Sequence, residues 1–163
     1  MEQKNNYEGF TLSLALVDAL PVLLFGASCI LIGMIFKSPL FIIGACLCFA
    51  GGFMKVMWKV VLALKKKDVR FLNKQFRYTM ISGFVLIIIS VIVGFKRISL
   101  AAIGAAITGL PQVIFFALWL VGMITMGVLA KKLDSAVAKN NWIEQCVNGV
   151  AQLCFFVGLL FLA

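Results

Sequence analysis

The stretch NWIEQCVNGVAQLCFFVGLLFLA, residues 141–163, carries a stripe of amides along an otherwise apolar segment. In a helix these polar residues recur at i, i+4, i+7 and i+11 and therefore share one face, which holds Asn141, Gln145, Asn148 and Gln152, with Glu144 at its edge. Amides and a carboxylate on so apolar a helix are costly to bury without hydrogen-bond partners. The stripe therefore predicts polar groups on the helices that pack against it.

The composition is that of a membrane protein. Of the 163 residues, 63% are hydrophobic and the mean hydropathy is +1.10, whereas about half of the residues in a soluble domain are apolar. Several apolar runs reach the roughly 20 residues that cross a bilayer. We predict an all-α, polytopic transmembrane helical bundle that forms a single domain over residues 1–163, multi-pass in the cell (inner) membrane. The N-terminus lacks the pattern of a cleavable signal, so the first apolar run is expected to remain as a span.

Five spans are predicted, with short polar segments between them. Their bounds are about 10–36, 40–64, 78–95, 98–130 and 141–163. Pro21 removes a backbone hydrogen bond within the first span, which predicts a local kink there. The loop at residues 65–77 is rich in Lys and Arg, and its apolar residues recur at helical spacing. It is predicted to form a short helix on anionic lipid headgroups, so the lipid bilayer is the first expected partner.

The lysines and arginines outside the spans predict the direction of insertion, because cytoplasmic loops carry more of them. Ten lie on the side of the N-terminus, in residues 1–9, in the 65–77 loop and in the 131–139 linker. Three lie on the opposite side: Lys37, Lys96 and Arg97. We therefore expect the N-terminus in the cytoplasm.

Charged and amide residues of three spans then fall at similar depths. At about 1.5 Å per helical residue, Asp18 lies about 12 Å, Lys55 about 13 Å and Asn148 about 11 Å from the cytoplasmic ends of their spans. Lys59 and Glu144 are shallower. Two cations and two anions sum to zero, as expected of charges held in a low dielectric. The predicted ligand- or ion-binding site comprises Asp18, Lys55, Lys59, Glu144, Gln145, Asn148 and Gln152, with Asp18 paired to Lys55 or Lys59.

A purely structural role for these residues is the alternative. Lys59 is close enough to the interface to extend its ammonium into the headgroups. Glu144 lies within a turn of the predicted helix start, where a carboxylate interacts favourably with the helix dipole. Asn148 and Gln152 would then only join neighbouring helices by hydrogen bonds. Both interpretations fit the sequence.

Other chemistries are not indicated. The chain has no histidine, which removes the commonest metal ligand and general base, and it has no nucleophile elbow or metal-ligand cluster. All five cysteines lie in apolar runs without a Cys-x-x-Cys pair, so they are interpreted as small buried hydrophobes. Despite the formal charge of +9, no block is basic and aromatic enough to suggest nucleic acid. The sequence therefore predicts no enzyme, no cofactor and no metal site.

Two stretches carry a resemblance to other proteins. Residues 17–23 (VDALPVL) and 141–145 (NWIEQ) resemble members of a family of small, uncharacterised bacterial integral membrane proteins. The resemblance implies a location in the membrane and no particular activity. A short similarity between residues 18–25 and 108–115 also suggests an internal inverted repeat of the kind found in transporters.

Two functions are compatible with these features. The first is a small transporter, channel or substrate-binding membrane component, favoured by buried charges beside the proline of the first span. The second is a non-transporting accessory or assembly subunit of a membrane complex, favoured by the small-residue helix faces and the basic loop. A homo-oligomer or a membrane partner subunit is expected because five spans bury only part of the polar face.

Overall fold

Five long helices dominate the part of the chain that the computed structural model describes, which is residues 9–94, 104, 107–134 and 137–162. They are α1 (Leu12–Phe36), α2 (Pro39–Lys65), α3 (Arg70–Gly94), α4 (Gln112–Lys132) and α5 (Ala138–Leu160). All five are long and apolar enough to cross a membrane, and these residues include no strand. The predicted all-α, multi-pass bundle of five spans is confirmed. The direction of insertion stays a prediction.

Helix boundaries differ from the predicted spans at three places. The helix α3 begins at Arg70, so residues 70–77 continue the span and do not form a separate helix on the headgroups. The segment before α4 turns at residues 109–111, so the predicted span over 98–130 is not one helix. The helix α5 begins slightly earlier than predicted, at Ala138. Residue 98, where the fourth span is predicted to begin, lies outside the described residues, as do Lys4, Lys96 and Arg97.

The turn between the first two helices has a local cause. Lys37 ends α1 in the left-handed conformation, with φ 45°, and its N–H donates to the carbonyl oxygen of Gly33. Ser38 then caps α2 because its side chain accepts from the N–H of Phe41. Pro39 follows in the first turn, where its missing N–H leaves no hydrogen bond unmade.

The two prolines behind the suggested repeat lie in different structures. Pro21 is inside α1, which continues through it as a helix. Pro111 lies in the turn that precedes α4 and follows a cis peptide bond. The backbones of residues 18–25 and 108–115 therefore differ at the prolines, where α1 stays helical and the later segment turns.

The helices pack as a row in the order α3, α2, α1, α5, α4. The helices α1 and α5 are parallel, because Gly9 faces Ala138 at one end and Leu20 faces Gly149 further along. The end at which α1, α3 and α5 begin is called the basic end; its exposed cations are Lys65, Lys66, Lys67, Arg70, Lys74, Arg77, Lys131, Lys132 and Lys139. This order places α5, with its polar stripe, directly beside α1.

Glycines bring α2 and α3 together at the level of the backbone. A Cβ atom on Gly83 would lie 2.6 Å from the carbonyl oxygen of Gly44, and one on Gly44 would lie 2.7 Å from the carbonyl oxygen of Gly83. Small residues at such a contact let helices in a membrane pack closely. The other side of α2 contacts α1, where Gly52 lies against Val22. The helix α2 thus presents two different faces to its two neighbours.

A hydrophobic cluster closes the basic end. This hydrophobic plug consists of Phe10, Leu14, Trp58 and Leu62, with Leu72, Ala138 and Trp142 packed against it. The rings of Phe10 and Trp58 meet edge to face with centroids 6.2 Å apart. In α1 the plug lies one turn before Asp18, and in α2 it lies about one turn beyond Lys59. It therefore separates these two charged residues from water at the basic end.

Candidate functional site

A buried ion pair joins α1 to α2. The Nζ atom of Lys59 lies 3.0 Å from Oδ2 of Asp18, and the two side chains are 1% and 6% exposed. Neither atom makes a further hydrogen bond within the described residues. Of the two partners that the sequence allowed for Asp18, the structure selects Lys59.

Glu144 and Gln145 are buried side chains of α5, the other helix that packs against α1. They are 8% and 3% exposed. The carboxylate of Glu144 attracts the ammonium of Lys59 electrostatically, although the two do not form a direct ion pair. The Oε1 atom of Gln145 is buried without a hydrogen-bond partner in the described ranges. Gly149, one turn along the same face, contacts Leu20 of α1, so this face of α5 is turned toward α1.

Lys55 is separated from this cluster. Its ammonium lies 4.6 Å from the centroid of the Phe76 ring, which belongs to α3. It repels Lys59 electrostatically and is only half-buried. Lys55 lies on the face of α2 that includes Gly44 and packs on α3, whereas Lys59 is turned toward α1. The predicted layer therefore does not contain Lys55 as a partner of Asp18.

The remaining amides of the α5 stripe are divided between neighbours. The Nε2 atom of Gln152 donates a weak hydrogen bond to the Sδ atom of Met123 in α4, at 3.7 Å, while its Oε1 is buried without a partner in the described chain. Asn148 is half-buried. Asn141 is buried, and its Nδ2 donates to the carbonyl oxygen of Val137 at 3.2 Å. Asn141 and Gln152 thus bond to other groups, and Glu144 is the residue of this face whose charge acts on Lys59.

The contact between Trp58 and Asp68 was not predicted from the sequence. The Nε1 atom of Trp58 donates to Oδ1 of Asp68 at 2.9 Å, and Oδ2 of Asp68 lies 3.5 Å from Nε of Arg70. Trp58 belongs to the hydrophobic plug and directly precedes Lys59, so this hydrogen bond holds a residue that covers the ion pair. Asp68 is the single acidic residue among the cations of the 65–77 loop. A lone carboxylate in such a loop could have indicated a specific partner for its side chain.

The buried charges of the cluster do not sum to zero. Among the described residues, the buried carboxylate and ammonium side chains are those of Asp18, Glu144 and Lys59. The predicted balance of four charges counted Lys55, which lies elsewhere. In a low dielectric, two carboxylates beside one ammonium are neutral only after they take up one positive charge. The part of the chain that the structure describes contains no group of three or more Cys, Asp or Glu side chains able to hold a metal ion.

Comparison with known proteins gives no relative: the chain matches no protein-family model, no curated protein and no solved structure.

Proposed function

We propose that the protein is a small transporter or channel component of a membrane and that Asp18, Lys59 and Glu144 form its functional cluster. The observation that carries the proposal is the 3.0 Å ion pair buried between apolar helices. A lone charge at the centre of a span costs about 2.5–3.5 kcal/mol on insertion scales. A buried pair is also often less stabilising than apolar residues of the same volume. Ionisable residues that persist inside a membrane despite this cost commonly belong to ion or substrate pathways.

Further buried polar groups along α1 and α5 support this function. Three of them have an oxygen atom without a hydrogen-bond partner in the described residues: Gln145, Gln152 and Ser28. Ser28 is fully buried and lies almost three turns beyond Asp18 in α1. The hydrophobic plug lies on the other side of the ion pair, at the basic end. Buried polar groups thus also lie further from the basic end than the cluster does, as expected of a path for a polar species.

Flux through proteoliposomes tests this proposal. With dyes sensitive to pH and to alkali cations enclosed, the wild-type protein is expected to dissipate an imposed ion gradient. Asp18→Asn is expected to slow the flux on the order of tenfold, or about 1.4 kcal/mol in the barrier, because Lys59 loses its counter-charge. Asp134→Asn, which removes a carboxylate from the linker before α5, should retain the wild-type flux. A folded, monodisperse wild-type protein with no more flux than empty liposomes would contradict the proposal.

An accessory or assembly subunit is the second candidate, and the exposed surface of α4 favours it. The helices α3 and α4 form the two ends of the row, and none of the described side chains of α4 is buried. In a bilayer such helices face lipid or contact another subunit, including a second copy of this chain. Absence of flux together with a stable complex containing another membrane subunit would favour this function.

Anionic lipids are proposed as partners of the basic end. The first turns of α3 expose Arg70, Lys74 and Arg77 on one face, beside the exposed aromatic residues Phe71 and Tyr78. With 25 residues, α3 is about 37 Å long at about 1.5 Å per residue, whereas the hydrocarbon core is about 30 Å thick. The first turns therefore extend to the headgroups, where cations and aromatic side chains are favoured.

Neutralising these cations tests the lipid proposal. The triple variant Arg70→Gln, Lys74→Gln, Arg77→Gln is expected to lose roughly 1 kcal/mol of attraction to anionic lipid per residue. Thermal melting would be compared in nanodiscs of phosphatidylglycerol and of phosphatidylcholine. The wild type should melt higher in phosphatidylglycerol, and the variant should lose most of that difference. Equal melting of the wild type in both lipids would count against a preference for anionic headgroups.

A further inference from the structure

We propose that the cluster of Asp18, Lys59 and Glu144 binds one monovalent cation, a proton or an alkali-metal ion, and that this cation is the species coupled to transport. The coupling of the cation to transport rests on the proposed function of the protein. The binding of the cation is independent of that function, because it follows from the charge and burial of the cluster.

The excess negative charge of the cluster resides on Glu144. Asp18 has its counter-charge 3.0 Å away in Lys59. Glu144 is 8% exposed, and no ammonium or guanidinium pairs with it in the described parts of the chain. The ammonium that attracts it most directly, that of Lys59, is already paired. An unpaired carboxylate is unfavourable in such surroundings, so taking up a cation there stabilises the folded protein.

The charged groups on the surrounding helices leave this excess uncompensated. From α1, the buried residue Asp18 carries the same charge as Glu144 and does not compensate it. From α2, Lys55 lies over the ring of Phe76 and belongs to the side that packs on α3. The cations nearest in sequence on α4 and α5 are exposed at the basic end, where water screens them; they are Lys131, Lys132 and Lys139. Among the described residues, Lys59 is thus the one buried cation beside two buried carboxylates.

An oxygen atom suited to a cation is buried on the face of α5 that is turned toward α1. The Oε1 atom of Gln145 has no hydrogen-bond partner in the described residues, and the side chain of Gln145 is more than nine-tenths buried. Carboxylate and carbonyl oxygens are the ligands that hard metal ions prefer, and an amide oxygen accepts a hydrogen bond from a protonated carboxyl group equally well. One positive charge brings the cluster to neutrality, whereas a divalent ion would leave it positive. The chemistry therefore favours a monovalent cation.

Thermal melting in detergent tests the binding without requiring transport. The wild type is expected to melt higher as Na⁺ or K⁺ replaces choline at constant ionic strength or, if the ligand is a proton, as the pH falls at constant salt. At a ligand concentration about ten times Kd, the expected shift is about 3–6 °C. Glu144→Gln keeps the shape of the side chain and removes its charge, so its melting temperature should lose this response. Asp134→Asn, which removes a carboxylate outside the cluster, should respond as the wild type does.

Each outcome of this experiment decides between the alternatives. A response to Na⁺ or K⁺ identifies an alkali-metal ion, and a response to pH alone identifies a proton. A wild type that responds to neither overturns the inference, as does a Glu144→Gln variant with the full wild-type response. If Glu144→Gln does not fold, Asp18→Asn replaces it: one carboxylate then remains for Lys59, and the response should again be lost. Flux without any cation effect on melting overturns the inference and leaves the proposed function standing. Cation-dependent melting without flux supports cation binding and contradicts the proposed function.

Discussion

Lys59→Met is expected to lower the free energy of unfolding by about 3–5 kcal/mol, because it leaves the buried carboxylate of Asp18 without its partner. Methionine is long and flexible enough to occupy most of the space of the lysine side chain, so the change in packing is small. The loss would be measured by reversible unfolding in mixed detergent micelles. Lys55→Met is the matched control on the same helix. It removes only the contact with the Phe76 ring, so about 0.5–1 kcal/mol should be lost.

Combining Lys59→Met with Asp18→Leu should recover most of this stability. Replacing a whole buried ion pair by apolar residues is often neutral or stabilising, whereas removing one partner leaves an uncompensated charge. A double variant as unstable as Lys59→Met would show that the loss comes from packing rather than from charge. If Lys59→Met were as stable as Lys55→Met, the pairing of Lys59 with Asp18 would be wrong.

Gly83→Ala is expected to cost about 1–3 kcal/mol, because the added methyl group meets backbone atoms that cannot rotate away. The new Cβ would lie 2.6 Å from the carbonyl oxygen of Gly44 and 3.0 Å from the backbone nitrogen of Cys48. The helices α2 and α3 must then move apart along their whole contact. Thermal melting in detergent would report the loss.

Gly127→Ala is the matched control for this substitution. No atom lies within 4 Å of a Cβ placed on Gly127, which is in the interior of α4. Alanine favours a helix interior over glycine by roughly 0.5–1 kcal/mol, so this variant should melt at the wild-type temperature or above it. Equal destabilisation by the two substitutions would show that the close contact between α2 and α3 is not the cause.

The fold class was predictable because the length of an apolar run is a local property of the sequence. The turn at Lys37 and Ser38 was predictable for the same reason, since helix caps depend on neighbouring residues. The start of α3 was not, because the cations Arg70 and Lys74 favour a segment outside the membrane, whereas the helix includes both of them. Pro111 was a signal for a new helix start, but the continuous apolar run around it concealed the turn.

The partner of Asp18 was predictable only as one of two lysines. Lys55 and Lys59 are four residues apart and therefore share a stripe of α2. They are directed to different neighbours only because α2 packs between α1 and α3. That order of helices depends on contacts between segments distant in the chain, which periodicity does not report. The excess charge on Glu144 could not be predicted for the same reason. The sum of the charges in the cluster depends on whether Lys55, Lys59 or both are buried beside Asp18.

The ion pair between Asp18 and Lys59 lies within a single helical hairpin, since α1 and α2 are consecutive along the chain. During biosynthesis these two helices leave the ribosome one after the other, so the hairpin enters the bilayer with its two opposite charges already available to each other. Glu144 arrives later, with α5, when the hairpin is in place to receive it. These two helices therefore insert as a neutral unit, and the carboxylate of Glu144 joins a hairpin that is already assembled.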